Sequence, residues 1–191
     1  MIDRFEICLP FVLAQECPLP NDWSNLKNFS DDRHDPGGKT MCGIIQREYD
    51  LWRKGHGLPT QDVRKMTQDE GHAIYRIGYW QPHCRFLPDG LDLCFFDESV
   101  NAGPTEAIRI LQVALGVDND GDWGPQTDAA VRLADMDIVA HIERFTARRL
   151  EVYRAMKGFQ YFGTGWTRRA NEIGAEALKM ARVAPPPPVT S

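Results

Sequence analysis

The chain has 191 residues, 42% hydrophobic and 26% charged, enough to bury a core without metal or disulfide staples. Its net charge of −5 argues against a nucleic-acid binder, which would carry a basic surplus on one face. There is no apolar run of about 18 residues, so no membrane insertion is expected. The five cysteines are irregularly spaced without a Cys-x-x-Cys pair, and read as reduced thiols near a core rather than a zinc site.

The elements follow from apolar spacing and from turn residues. Asp3 to Glu16 reads as a helix, with Phe5, Leu9, Val12 and Leu13 near one face and Pro10 as a kink or a true first turn. Cys17-Pro18-Leu19-Pro20 cannot continue it, so Glu16 falls at its end. Asn21 to Gly38 is a polar loop, with room for a helical turn or a hairpin. Thr40 to Ile45 suits a short strand, and Ile45 to Lys54 a helix stopped by Gly55-His56-Gly57. Thr60 and Thr67 are both candidate caps, and Ala73, Ile74, Ile77 and Trp80 recur at helical spacing up to Trp80.

Asp92 to Asn101 is apolar enough for a buried central helix. Pro104 to Leu115, Gln126 to Ala134, Asp137 to Met156 and Trp166 to Ala184 complete the helices, with Gly116 closing the first of them. Pro185 to Ser191 reads as a disordered, polyproline-like tail. The fold class is therefore mainly α: a helical domain with at most a small β-hairpin, plus packed C-terminal helices.

Chemistry can be sought in the acidic residues. Cleaving a glycosidic bond needs an acid to protonate the leaving oxygen, and often a second carboxylate to activate water or steady positive charge. That acid must hold its proton near neutral pH, which burial favours. A glutamate that ends an apolar helix and faces a polar loop suits the task, and Glu16 is such a residue. Downstream, Asp35-Pro36-Gly37-Gly38-Lys39-Thr40 offers a carboxylate, a tight turn and a hydroxyl in close succession. A loop aspartate followed by a strand threonine can hold a water opposite a buried acid. The five histidines are scattered, so neither a metal nor a cofactor is inferred.

These stretches resemble glycoside hydrolase family 108, the N-acetylmuramidases of phages, prophages and secretion-associated loci. Leu13-Ala14-Gln15-Glu16 and Asp35-Pro36-Gly37-Gly38-Lys39-Thr40…Gly43-Ile44 occupy the places of the family's opening motifs. Ala73-Ile74-Tyr75-Arg76…Tyr79-Trp80, Phe95-Phe96-Asp97…Val100-Asn101-Ala102-Gly103, Ile110-Leu111-Gln112…Leu115-Gly116 and Gly163-Thr164-Gly165-Trp166-Thr167-Arg168-Arg169 follow in the right order. Two departures stand out: the two glycines that follow the family's glutamate are Cys17 and Pro18 here, and the loop from Glu16 to Asp35 is longer.

The resemblance implies a lysozyme-like catalytic region over residues 1–102, a helical peptidoglycan-binding-like region over 103–184 and the tail beyond. It implies Glu16 as the acid, and it invites Asp35 and Thr40 as catalytic companions. Tyr79, Trp80, Asn101 and Trp123 are the candidate contacts to glycan. The expected partner is the glycan strand of peptidoglycan, with phage tail or baseplate proteins as a further possibility. No export signal is read at the N-terminus. The expectation is therefore synthesis in a bacterial cytoplasm and release to the cell wall through a holin or a phage particle. The Cys17-Pro18 departure motivates an alternative, a wall-binding or particle protein whose activity has decayed.

The segment Gly116 to Thr127 is acidic but, counted from Asp118, fails the calcium-loop pattern, since Trp123 and Ala129 stand where Gly and Glu are required. It is similar to the Asp-Gly-x-x-Gly-Pro-x-Thr signature of peptidoglycan-binding modules, with Asp120, Gly121 and Gly124 as turn formers.

Overall fold

The computed structural model describes residues 3–31 and 38–183, and these form two compact units, Met1–Pro82 and His83–Ser191. Asp35 and the tail at 185–191 lie outside the described residues. The division after Pro82 comes before the expected one after Ala102, because the helix ending at Ala102 packs with the helices that follow it. Among the described residues no helix is long and apolar enough to cross a membrane.

The first unit opens with α1 (Arg4–Glu16), capped where the Asp3 carboxylate accepts the Phe5 N–H at 3.0 Å. Pro10 sits inside it on an exposed position, and Phe5, Cys8, Leu9, Val12 and Leu13 form the buried face. Three two-residue strands follow, β1 (Phe29–Ser30), β2 (Thr40–Met41) and β3 (Ile44–Ile45), in an antiparallel sheet of that order. β1 arises inside the stretch read as a polar loop.

Then come α2 (Gln46–Gly55) and α3 (Gln68–Tyr75). Thr67, not Thr60, caps α3, in a reciprocal capping box with Glu70. Thr60 starts no helix because the Asp62 carboxylate takes the Arg64 N–H and closes a single turn at Val63–Lys65. Buried Arg53 ties the two helices together through Glu70 at 2.5 Å and the Pro59 carbonyl at 2.6 Å.

The second unit is built on α4 (Leu91–Ala102), which is buried without interruption from Leu91 to Ser99. α5 (Pro104–Leu115), α6 (Pro125–Val131), α7 (Ile138–Ala155) and α8 (Phe159–Val183) complete it, with α4 packed against α5, α7 and α8. Gly90 starts α4 at φ +92°, and a Cβ there would lie 2.3 Å from the Ala177 carbonyl of α8. α8 begins seven residues before the expected Trp166. Its buried face, Gly163, Ala170, Ile173 and Ala177, carries the helix through glycines that local propensity reads as a stop.

Apolar burial in α4 is broken by Asp97 and Glu98, both fully buried. Arg149 of α7, 1% exposed, donates to Asp97 at 2.6 Å and pairs with Glu98, and Arg169 of α8 donates to Asp97 at 2.9 Å. Tyr153 donates to Glu98 at 2.7 Å. Burial alone would favour neutral Arg149, yet the charges of Asp97 and Glu98 outweigh it and hold the guanidinium protonated.

Candidate active site

The position of Glu16 is set by local chemistry. Proline at 18 pushes Cys17 into extended backbone (φ −118°, ψ 122°), so α1 ends on Glu16. The Cys17 N–H still reaches back to the Leu13 carbonyl at 2.7 Å and closes the last turn. The exit loop is gripped by buried Asn28. Its side chain accepts the Leu19 N–H at 2.8 Å and donates to the Leu19 and Asp22 carbonyls, each at 2.9 Å. The Asn28 carbonyl accepts the Cys42 N–H at 3.0 Å, which ties this loop to the β2–β3 hairpin.

That hairpin turns on two residues, Cys42 at φ +45° and Gly43 at φ +74°. Positive φ at both central positions is the mark of a type I′ turn, matched to the twist of the strands. Cys42 is the non-glycine residue with positive φ among the described residues. The turn lies directly on the glutamate: a Cβ on residue 43 would stand 2.7 Å from Glu16 Oε2 and 2.8 Å from the Tyr75 hydroxyl. Only glycine allows this approach. Half-buried Glu16 is thus walled by the hairpin tip and by Tyr75.

Two tyrosines and a second glutamate complete the arrangement. After Tyr75 the helix widens into a π turn, Arg76–Trp80, closed by Gln81 N–H to the Arg76 carbonyl at 2.8 Å. Such turns recur at functional sites. Tyr75, fully buried, donates to the Cys42 carbonyl at 2.7 Å. Half-buried Tyr79, its ring 6.0 Å from that of Tyr75, donates to Glu48 Oε1 at 3.1 Å. Burial, then the Glu16 charge, holds the Tyr75 phenol well above its usual range. Burial, then Glu48, raises Tyr79, with Glu16 adding to the shift. Both hydroxyls therefore keep their protons as donors.

Cys17 and Cys42 face each other across this corner. Their contact, with burial, drives the Cys17 thiol far above its ordinary value. All five cysteines are buried and unbridged.

The other expected residues are distributed as follows. Thr40 lies on β2, paired with Ile45, and its hydroxyl donates to the Gly38 carbonyl at 3.1 Å. Tyr79 lies in the Glu16 corner. Trp80 does not suit a sugar contact: it is 4% exposed, on the apolar face its spacing indicates, and packs edge-on against Phe5 at 5.8 Å, while Ile77 in the same π turn is exposed. Asn101 and Trp123 belong to the second unit. One Asn101 amide proton goes to the Tyr153 hydroxyl at 2.8 Å, and one face of Trp123 stacks on His83 at 4.5 Å. In the Asp118 loop, Gln112 donates to Asp120 at 2.7 Å and accepts the Gly121 N–H at 2.9 Å, which fixes the turn. Among the described residues no group of three His, Cys, Asp or Glu side chains could hold a metal ion.

The site residues that the sequence did not single out are Asn28, Cys42, Gly43, Tyr75 as a wall of the acid, and Glu48. Gly43 and Tyr75 stand within quoted motifs. Glu48 has only its place in the first turn of a helix to mark it.

A half-buried glutamate against a glycine turn and a buried phenol, on a helical scaffold, is what comparison with known proteins places in its class. Residues 12–103 match the family model described as Glycosyl hydrolase 108. The solved structure of Brucella abortus SagA superposes with a TM-score of 0.77 at 31% identity, covering 95% of this chain and 97% of that one. A comparison with curated proteins finds no match. The chain belongs to the glycosyl hydrolase 108 family.

Proposed function

We propose that the protein hydrolyses the β-1,4 bond between N-acetylmuramic acid and N-acetylglucosamine in peptidoglycan, with Glu16 as the acid that protonates the leaving oxygen. The observation that supports this most directly is the Gly43 turn lying against the Glu16 carboxylate. The chain gives up a side chain at residue 43 and adopts positive φ to bring backbone onto that carboxylate. A glutamate with only a solubilising role would need neither. The exit loop held by Asn28 leaves the Glu16 side chain half-buried at the helix end.

A second group must handle the water or the developing positive charge. The sequence resemblance offers Asp35 and Thr40 for this role. Substituting Glu16→Gln is expected to lower release of muropeptides from purified peptidoglycan by about 10²-fold or more, with the unfolding transition retained. Undiminished release would refute the assignment. Binding of wall without release by the unaltered protein would favour the decayed-enzyme reading, which the Cys17-Pro18 departure motivates.

A further inference from the structure

We infer that Glu48 is the second carboxylate of this site, the base that draws a proton from the attacking water, with Tyr79 as its positioning residue. The inference rests on Glu16 being the acid.

The argument begins with connectivity. Gly43 lies on Glu16, β3 follows at once, and Glu48 is the third residue of α2. Short, regular backbone therefore carries the chain from one glutamate to the other. Tyr79 joins them from the other side: its hydroxyl donates to Glu48 Oε1 at 3.1 Å, and it feels the charges of both Glu48 and Glu16.

The second step concerns charge. Glu48 is half-buried, and among the described residues its one hydrogen bond comes from that phenol and no cation pairs with it. Other buried acids among the described residues are held by cations or backbone: Glu70 meets Arg53, Asp97 and Glu98 meet Arg149, and Asp92 accepts the Gly90 and Leu93 N–H groups. A first-turn acid gains a modest stabilisation from the helix dipole. That accounts for an exposed glutamate and not for one turned toward a phenol that also feels the Glu16 charge. A partly desolvated carboxylate without a cation is instead what a base needs, an anion whose free oxygen accepts from water.

The third step is the chemistry. As the bond between the anomeric carbon and the leaving oxygen breaks, Glu16 gives its proton to that oxygen. The oxygen of water bonds to the anomeric carbon, and one of its protons goes to Glu48 Oε2, while Oε1 stays held by Tyr79. Glu48 ends protonated and Glu16 ionised, and one proton passes through solvent to restore both. Water attacking opposite the leaving group inverts the anomeric configuration.

The test uses the full chain on purified peptidoglycan, with kcat, KM and proton NMR of the newly formed anomer. Glu48→Gln is expected to lower kcat by about 10²–10⁴-fold with KM little changed and the acidic limb of the pH–rate profile lost. Glu48→Ala with added azide is expected to regain turnover and give a glycosyl azide. Asp35→Asn is the discriminating arm. Loss of kcat there, beside a Glu48→Gln rate within about threefold of the original, would overturn the inference and give the role to Asp35. Should Glu48→Gln lose cooperative unfolding, Tyr79→Phe decides: a reduced kcat with a displaced acidic limb supports the inference, and an unchanged rate and profile overturns it. An active Glu16→Gln would instead sink the underlying reading, so the two failures are distinguishable.

Discussion

The two units of this chain both bring carboxylates and tyrosines together, yet they dispose of charge in opposite ways. In the second unit Asp97 and Glu98 are sealed in the core, and the guanidinium groups of Arg149 and Arg169 close around them. In the first, Glu16 and Glu48 are half-buried, and the Glu48 carboxylate is met by a phenol where the other unit would place an arginine. The same residue types give a fastener in one place and a candidate reaction centre in the other. What separates them is access to solvent and the supply of cations: a neutralised, closed cluster cannot move a proton to a substrate, and a half-open one can. Charged residues in a sequence are therefore informative about function only once their partners are known.

The largest expected effect tests the fastener. Arg149→Met leaves two buried carboxylates without their main cation and is expected to cost about 3–5 kcal/mol of stability. A lowered urea midpoint would record it, while the activity per folded molecule stays near that of the unaltered chain. An unchanged midpoint would mean that the cluster does not hold the second unit together, and the contrast between the units would lose one of its sides.

The next largest effect in stability tests the other cluster, and there activity should suffer more than folding. Gly43→Ala places a Cβ where the Glu16 carboxylate now lies and forces an alanine to φ +74°. The backbone conformation costs about 1–2 kcal/mol. The glutamate must also shift, so kcat should fall further than the loss of stability explains. The comparison is sharpest when the two variants are measured side by side: Arg149→Met breaks folding and spares turnover, and Gly43→Ala does the reverse. Full activity in a folded Gly43→Ala would show that the contact at the hairpin tip does not position the acid.

Much of this contrast was legible in the sequence only where it is local. The end of α1 at Glu16 could be read because the residue before a proline leaves the helical region, a rule that needs no tertiary knowledge. The Pro104 start and Gly116 stop of α5 are of the same kind. Glu48 could not be read, because its significance comes from a tyrosine 31 positions away in sequence. Regular 3.6-residue spacing put Ile77 and Trp80 on one apolar face, but the helix widens across Arg76–Trp80, and there Trp80 is buried while Ile77 is exposed. The charges of α4 stand inside an apolar run that correctly announces a buried helix. Their partners lie 52 and 72 residues further on, beyond any local signal.

The smallest expected effect concerns a property that the two units share. Each holds a histidine that burial pushes below its ordinary pKa: His72, edge-on to Trp23 at 5.6 Å, and His83, stacked on Trp123. For His72 the charges of Glu6 and Asp69 favour protonation and that of Arg76 opposes it, yet burial prevails. The folded chain thus prefers both imidazoles neutral, while the unfolded chain takes up protons below about pH 6.5. Linkage then gives the sign: the stability associated with these groups is complete above that pH and declines as pH falls through it toward the folded values. Ordinary carboxylates titrate lower still, so a urea midpoint followed from about pH 7.5 to about pH 5.5 reports mainly the histidines, and buried Glu98, raised by burial, would shift stability the other way. Phenylalanine preserves the ring contacts and removes the titration, so His72→Phe and His83→Phe should each flatten part of the decline, and the double variant most of it. If the double variant kept the full slope, the two imidazoles would not be its source, and the parallel between the units would fail.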